Sequence, residues 1–208
     1  MGRGLSLRFD VSEKIVILGM SGMGKTTLMK YLIQKLPFRK VVVDRLGILS
    51  RVRSPREVGV VKCRVKNADF CVRLVTPEDL EKFMSVVINY KNLMVFIDEV
   101  DTFISPTASF RTMPNTYYFL NAGRNFGLGL TVTVRQVGRL NKVIWSNANW
   151  FFVFRIINPR DLEYLRLGLG FDVPANQLDK HEFFIIDAVH SEIIGRAILK
   201  ENNIFLLR

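Results

Sequence analysis

KIVILGMSGMGKTT, residues 14–27, joins an apolar run of strand length to the pattern G-x-x-x-x-G-K-[ST], with Gly19, Gly24, Lys25 and Thr26 at the fixed positions. The glycines let the backbone turn tightly enough to aim successive N–H groups inward. A helix starting near Lys25 adds its N-terminal dipole, and the two together make a preformed anion site. Residues Gly19, Met20, Ser21, Gly22, Met23, Gly24, Lys25, Thr26 and Thr27 are therefore the candidate cradle for a nucleotide's phosphates. In such a cradle Lys25 reaches the β- and γ-phosphates, and the Thr26 hydroxyl ligates Mg²⁺.

Apolar runs of strand length recur outward from this stretch, at 40–44 (KVVVD), 93–98 (LMVFID), 130–134 (LTVTV), 150–154 (WFFVF) and 183–187 (FFIID). They are nearly continuous rather than alternating, as in strands buried on both faces of a mostly parallel sheet covered by helices. Helices are predicted from Thr26 to about Leu36, ended by Pro37, and from Pro114 towards Arg124. Over 76–90 Thr76 is the expected cap and Pro77 fits the first turn, while Leu80, Phe83, Met84, Val87 and Ile88 form one stripe. Over 158–170 Asn158 is the expected cap and Gly168 the expected stop. The expected fold class is α/β in a single domain spanning 1–208, with a core over about 12–155 and a helix with closing strands over 156–208.

A second chemistry-bearing element is LMVFIDEVD (93–101), whose apolar strand ends in Asp98 and Glu99. A carboxylate at a strand tip beside the phosphate loop suits Mg²⁺, which assigns Asp98 alongside Thr26. Glu99 is placed to orient or deprotonate a water that attacks the γ-phosphate. A metabolite kinase has no use for that water, so Glu99 points to hydrolysis.

Charge is uneven: residues 1–75 carry 16 Lys/Arg against 5 Asp/Glu, whereas the rest carries 14 of each. Arg39, Lys40, Arg45, Arg51, Arg53, Arg56, Lys62, Arg64, Lys66 and Arg73 form a basic region suited to a polyanion. A solvated surface kept for solubility is the plainer reading. Cys63 and Cys71 fit two packed thiols better than a cross-strand disulfide for a cytosolic chain, and with His181 and His190 the only histidines a zinc site is not expected. No apolar run is long enough to span a bilayer, and the N-terminus lacks a secretion-signal pattern.

The phosphate loop, VVVDRLG (41–47), FIDEVD (96–101) and above all GRNFGLGLTVTVRQVGRLNKVIWSNA (123–148) resemble the FtsK–HerA superfamily of DNA-pumping ATPases. The resemblance spans about 12–155 and implies a P-loop NTPase fold of the catalytic-glutamate division, with a RecA-like core. It also implies ATP with Mg²⁺, double-stranded DNA gripped without regard to sequence, and a ring, expected to be a hexamer. Arg124 resembles the family's arginine finger, which reaches a neighbour's γ-phosphate. Where the family has a sensor glutamine, a gapless match puts Arg135, with Gln136 one place later. Only one of the two should face the nucleotide; Gln136 is favoured for its neutral amide, and Arg135 is the alternative. Arg51, Arg53 and Arg56, in RVRSPR, are the candidate DNA grip. With no accessory domain evident, the chain is most similar to minimal genome-packaging ATPases of internal-membrane icosahedral viruses. That implies a capsid or membrane-vertex partner and a location in the host cytoplasm, associated with virion or procapsid. A plasmid-transfer or DNA-repair pump, and a nucleotide-dependent switch or assembly factor with little turnover, are the alternatives.

Overall fold

A computed structural model describes residues 8–51, 54, 57–200 and 203–207. In chain order the elements are β1 (Lys14–Leu18), α1 (Lys25–Lys35), β2 (Arg39–Val43), β3 (Ser50–Arg51), β4 (Gly59–Cys63), β5 (Phe70–Arg73), α2 (Pro77–Val87) and β6 (Leu93–Ile97). There follow α3 (Pro114–Ala122), β7 (Leu128–Val134), α4 (Lys142–Asn147), β8 (Trp150–Phe154), α5 (Pro159–Leu169), β9 (Glu182–Asp187), β10 (Glu192–Lys200) and β11 (Asn203–Leu207).

Among the described residues, all eleven strands join one sheet in the order β11-β10-β9-β8-β1-β7-β6-β2-β5-β4-β3. Its centre, from β8 to β5, is parallel, and antiparallel strands extend both edges. Every residue of β1, β6 and β7 is buried, which is why these strands read as unbroken apolar runs. Alternation divides them between two cores. Val16, Leu18, Val95, Ile97, Val132 and Val134 pack with α2 and α3, whereas Ile15, Ile17, Met94 and Phe96 pack with Leu28, Met29, Leu32 and Ile33 of α1. Because β7 lies between β1 and β6, the C-terminal ends of all three converge on one edge of the sheet. Such an edge is where open α/β sheets bind ligands.

α2 begins as its sequence predicts. The Thr76 hydroxyl accepts the Asp79 N–H at 3.1 Å, and the Asp79 carboxylate accepts the Thr76 N–H at 3.0 Å. These two bonds satisfy donors that the helix itself leaves open. Thr76→Ala is expected to lower unfolding free energy by about 1 kcal/mol in urea titrations, with an unchanged slope.

Two expectations are corrected. α5 does not stop at Gly168 but runs through Leu169 and is closed by Gly170, whose φ of 81° and N–H bond to the Arg166 carbonyl (2.8 Å) make the left-handed cap. Gly168 instead lies under the Trp145 indole, whose N–H donates to the Gly168 carbonyl at 3.0 Å. The cysteines are not two packed thiols: Cys63 and Cys71 form a disulfide with their Cα atoms 5.2 Å apart. Antiparallel pairing of β4 with β5, with Val61 opposite Cys71, brings the two together. Closing so short a loop is worth about 2–3 kcal/mol by chain entropy. Reductant is therefore expected to lower the urea midpoint of the native chain, and to leave that of Cys63→Ser/Cys71→Ser unchanged.

Candidate nucleotide site

The loop after β1, the first turn of α1 and the tips of β6 and β7 enclose a cleft of about 280 Å³. Ser21, Gly22, Gly24, Lys25, Thr26 and Thr27 line it on one side. The loop's other residues fasten it: the Met20 N–H donates to the Arg155 carbonyl at 3.0 Å, and the Met23 carbonyl accepts the His181 N–H at 3.1 Å. Gly24 precedes the helix with φ of 114°, a conformation that L side chains rarely adopt. The N–H groups that follow belong to the first turn of α1, where no intrahelical acceptor exists.

Lys25 is buried, and its ammonium donates to the carbonyls of Gly19 (2.6 Å) and Met20 (2.8 Å). Burial pulls its pKa down to about 8, with the Asp98 carboxylate opposing that fall. Across the cleft Asp98 follows Ile97 and falls on the α1 face of the sheet, as alternation requires. Its carboxylate accepts the Thr133 hydroxyl at 2.6 Å and the Thr26 hydroxyl at 3.3 Å. Burial raises its pKa; the hydrogen bond from Thr133 opposes this, the Glu99 charge adds to it, and the bond from Thr26 opposes it. A hydroxyl and a carboxylate this close are hard oxygen donors of the kind that Mg²⁺ takes.

Glu99 has φ of 57° and ψ of 55°, the left-handed region, which is uncommon for a non-glycine residue. Its N–H donates to the Thr133 hydroxyl at 2.8 Å, which bridges it to Asp98. Its side chain forms an ion pair with Arg135 and is largely shielded. The sheet thus delivers a carboxylate, a hydroxyl bridge and a guanidinium to the cleft from β6 and β7.

Register separates the two residues offered as sensor candidates. Thr133 and Arg135 share the α1 face, and both line the cleft; Gln136 falls on the opposite face and is not among its lining residues. The expectation that Gln136 faces the cleft is therefore corrected: Arg135 does, and its guanidinium meets Glu99. Arg124 is exposed in the turn Gly123–Phe126, ahead of the first residue of β7. The cleft lies past the other end of that seven-residue strand, about 20 Å away at the usual strand rise. Arg124 therefore has no route to its own chain's cleft.

Apart from Thr133 of β7, two lining residues went unread in the sequence: Lys180 and His181, on the turn entering β9. Their approach depends on long-range pairing of β8 with β9, with Phe154 opposite Phe183, and no local pattern announces it.

The basic region divides. Arg39, Arg51, Lys62, Arg64 and Lys66 are exposed. Lys40 is buried, its ammonium donating to the Leu36 (2.8 Å) and Phe38 (2.6 Å) carbonyls, and Arg73 donates to the carbonyls of Arg45, Ser54 and Glu57. These two serve the fold, so the polyanion reading does not extend to them. Of the candidate DNA grip, Arg51 sits on β3 at the sheet's far edge, opposite Lys62; Arg53 and Arg56 lie outside the described residues. Asp44, at the end of β2, is buried and accepts the N–H groups of Gly47, Ile48, Leu49 and Ser50, which fixes the loop leading to Arg51.

A sequence profile described as the ATPase family associated with various cellular activities (AAA) matches residues 15–117. Over 73 residues the chain is 32% identical to the DNA double-strand break repair helicase HerA of Pyrococcus furiosus, a match covering 35% of this chain and 13% of that protein. Among solved structures, the genome packaging NTPase B204 of Sulfolobus turreted icosahedral virus 2, in complex with ATP-gammaS, aligns with a TM-score of 0.73 at 19% identity. That alignment covers 89% of this chain and 97% of that one. The pCW3 conjugation coupling protein TcpA aligns with a TM-score of 0.59 at 14% identity, over 84% of this chain and 57% of that one. The resemblance drawn from the motifs is thus met in sequence by HerA and in fold by B204. The fold is that of a P-loop NTPase, α/β with a mostly parallel central sheet flanked by helices.

Proposed function

We propose that this P-loop chain is the ATP-hydrolysing subunit of a ring motor that moves double-stranded DNA, and that its task is packaging a viral genome into a preformed capsid. The observation that carries the reading is Glu99, a shielded carboxylate held in a left-handed backbone beside Asp98 and facing the phosphate loop. Lys25 and the first-turn N–H groups of α1 hold the phosphates of ATP. Magnesium, held by Thr26 and Asp98, would neutralise charge on the β- and γ-phosphate oxygens. Glu99 accepts a proton from the attacking water, and its pairing with Arg135 aims the carboxylate. Arg135 itself, at the tip of β7, is the sensor of the γ-phosphate.

Arg124, exposed and remote from its own cleft, completes a neighbour's site in a ring, expected to be a hexamer. Arg51, Arg53 and Arg56 grip DNA phosphates, with exposed Lys62 beside Arg51 in the same hairpin. B204 is a genome packaging NTPase and HerA a DNA double-strand break repair helicase, and both likenesses support a DNA task. The likeness to TcpA favours plasmid transfer as the second reading. A capsid or membrane-vertex protein is the partner that the packaging reading requires.

The test is ATP turnover by the purified chain with and without long double-stranded DNA. Stimulation by DNA, weakening as salt rises, is the expected result. Turnover indifferent to DNA at every salt concentration would remove the motor reading.

A further inference from the structure

The cleft has two ends, and sheet order distinguishes them. On the β7 and β6 side of the phosphate loop stand Arg135, Glu99 and Asp98; on the β8 and β9 side stand Lys180 and His181. The reacting γ-phosphate belongs beside Glu99, so the rest of the nucleotide extends towards the β9 turn. His181 is fixed there by three observations. Its N–H donates to the Met23 carbonyl at 3.1 Å, its carbonyl accepts the Leu199 N–H at 3.3 Å, and its φ is 70°, again left-handed. Its ring lies so close to the phosphate loop that a Cβ on Gly24 would come within 2.8 Å of Nδ1. The neighbouring Lys180 is exposed and lines the same cleft.

We propose that Lys180 and His181 bind the nucleoside end of the nucleotide, the ammonium on the α-phosphate and the imidazole against the ribose. The inference rests on the nucleotide site proposed above and extends it to residues beyond the motif-bearing core. A ligand here is a nucleoside 5′-phosphate; a bare tripolyphosphate offers Lys180 an equivalent phosphate but offers His181 no ribose. The His181 carbonyl also ties the turn to β10 through the Leu199 N–H.

Titration calorimetry of the full chain with Mg²⁺, using ATP and inorganic tripolyphosphate as the two ligands, tests this. Lys180→Ala removes the ammonium from an exposed position, and His181→Gly removes the ring while suiting the positive φ. Each is expected to weaken ATP about tenfold, the effect of losing one hydrogen bond; Lys180→Ala is expected to weaken tripolyphosphate similarly, whereas His181→Gly leaves it unchanged. ATP affinity unchanged in both variants would overturn the proposal. So would equal weakening of the two ligands by His181→Gly, which would mean that the turn only props the phosphate loop. A wild type that binds neither ligand would overturn the nucleotide site itself, and this assignment with it.

Discussion

Replacing Glu99 with Gln is expected to lower ATP turnover by about 10²–10⁴-fold while leaving ATP affinity within a few-fold of wild type. The substitution keeps the shape, the backbone and the hydrogen bond from the Glu99 N–H to Thr133, and removes only the proton-accepting charge. It also breaks the ion pair with Arg135, so the freed guanidinium is available to the phosphates and affinity should not fall. The neighbour provides the contrast. Asp98 accepts hydroxyl hydrogen bonds from both Thr26 and Thr133, so Asp98→Asn is expected to weaken magnesium-dependent nucleotide binding itself. A Glu99→Gln chain that hydrolyses ATP at the wild-type rate would take the catalytic base away from this carboxylate. Single-turnover kinetics at saturating ATP separates the two effects.

Arg124→Ala is expected to lower turnover by about 10³-fold or more, the range of an arginine finger supplied across a boundary. Its position makes the claim sharper than a loss of activity. Because Arg124 stands at the N-terminal end of β7 and the cleft at the C-terminal end, the loss must be in trans. Lys25→Ala subunits have a disabled phosphate loop but an intact Arg124. Mixing them with Arg124→Ala subunits is expected to restore turnover well above either variant alone, since each Arg124→Ala site that borders a Lys25→Ala subunit regains its finger. Mixtures that show only the weighted mean of the two variants would leave Arg124 with a structural role at the end of α3.

Much of the site was legible in the sequence because its determinants are local. The glycine spacing, the strand before it and the helix after it lie within 14–36, and an apolar strand ending in Asp98 and Glu99 announces itself in the same way. The choice between Arg135 and Gln136 was not local. It depends on where β7 begins to alternate and how it registers with β1 and β6, and Leu18 opposite Val134 fixes it. Lys180 and His181 were harder still, since an antiparallel strand must fold back over β8 before they reach the loop. The disulfide was misread for a related reason: the chemistry expected of a compartment outweighed a pairing geometry that only β4 and β5 together define. Gly168 reads as a helix stop by residue type alone, but its backbone is helical and the αL conformation falls two residues later. The basic region looked uniform in sequence, yet burial withdraws Lys40 and Arg73 from it.

A motor of the kind proposed moves along DNA as ATP is hydrolysed. Displacement of a labelled triplex-forming oligonucleotide from linear double-stranded DNA by the full chain reads that movement. Release that requires ATP, is abolished by Glu99→Gln and is delayed in proportion to the distance from the DNA end is the expected result. ATP hydrolysis stimulated by that same DNA, with the triplex left in place, would contradict it.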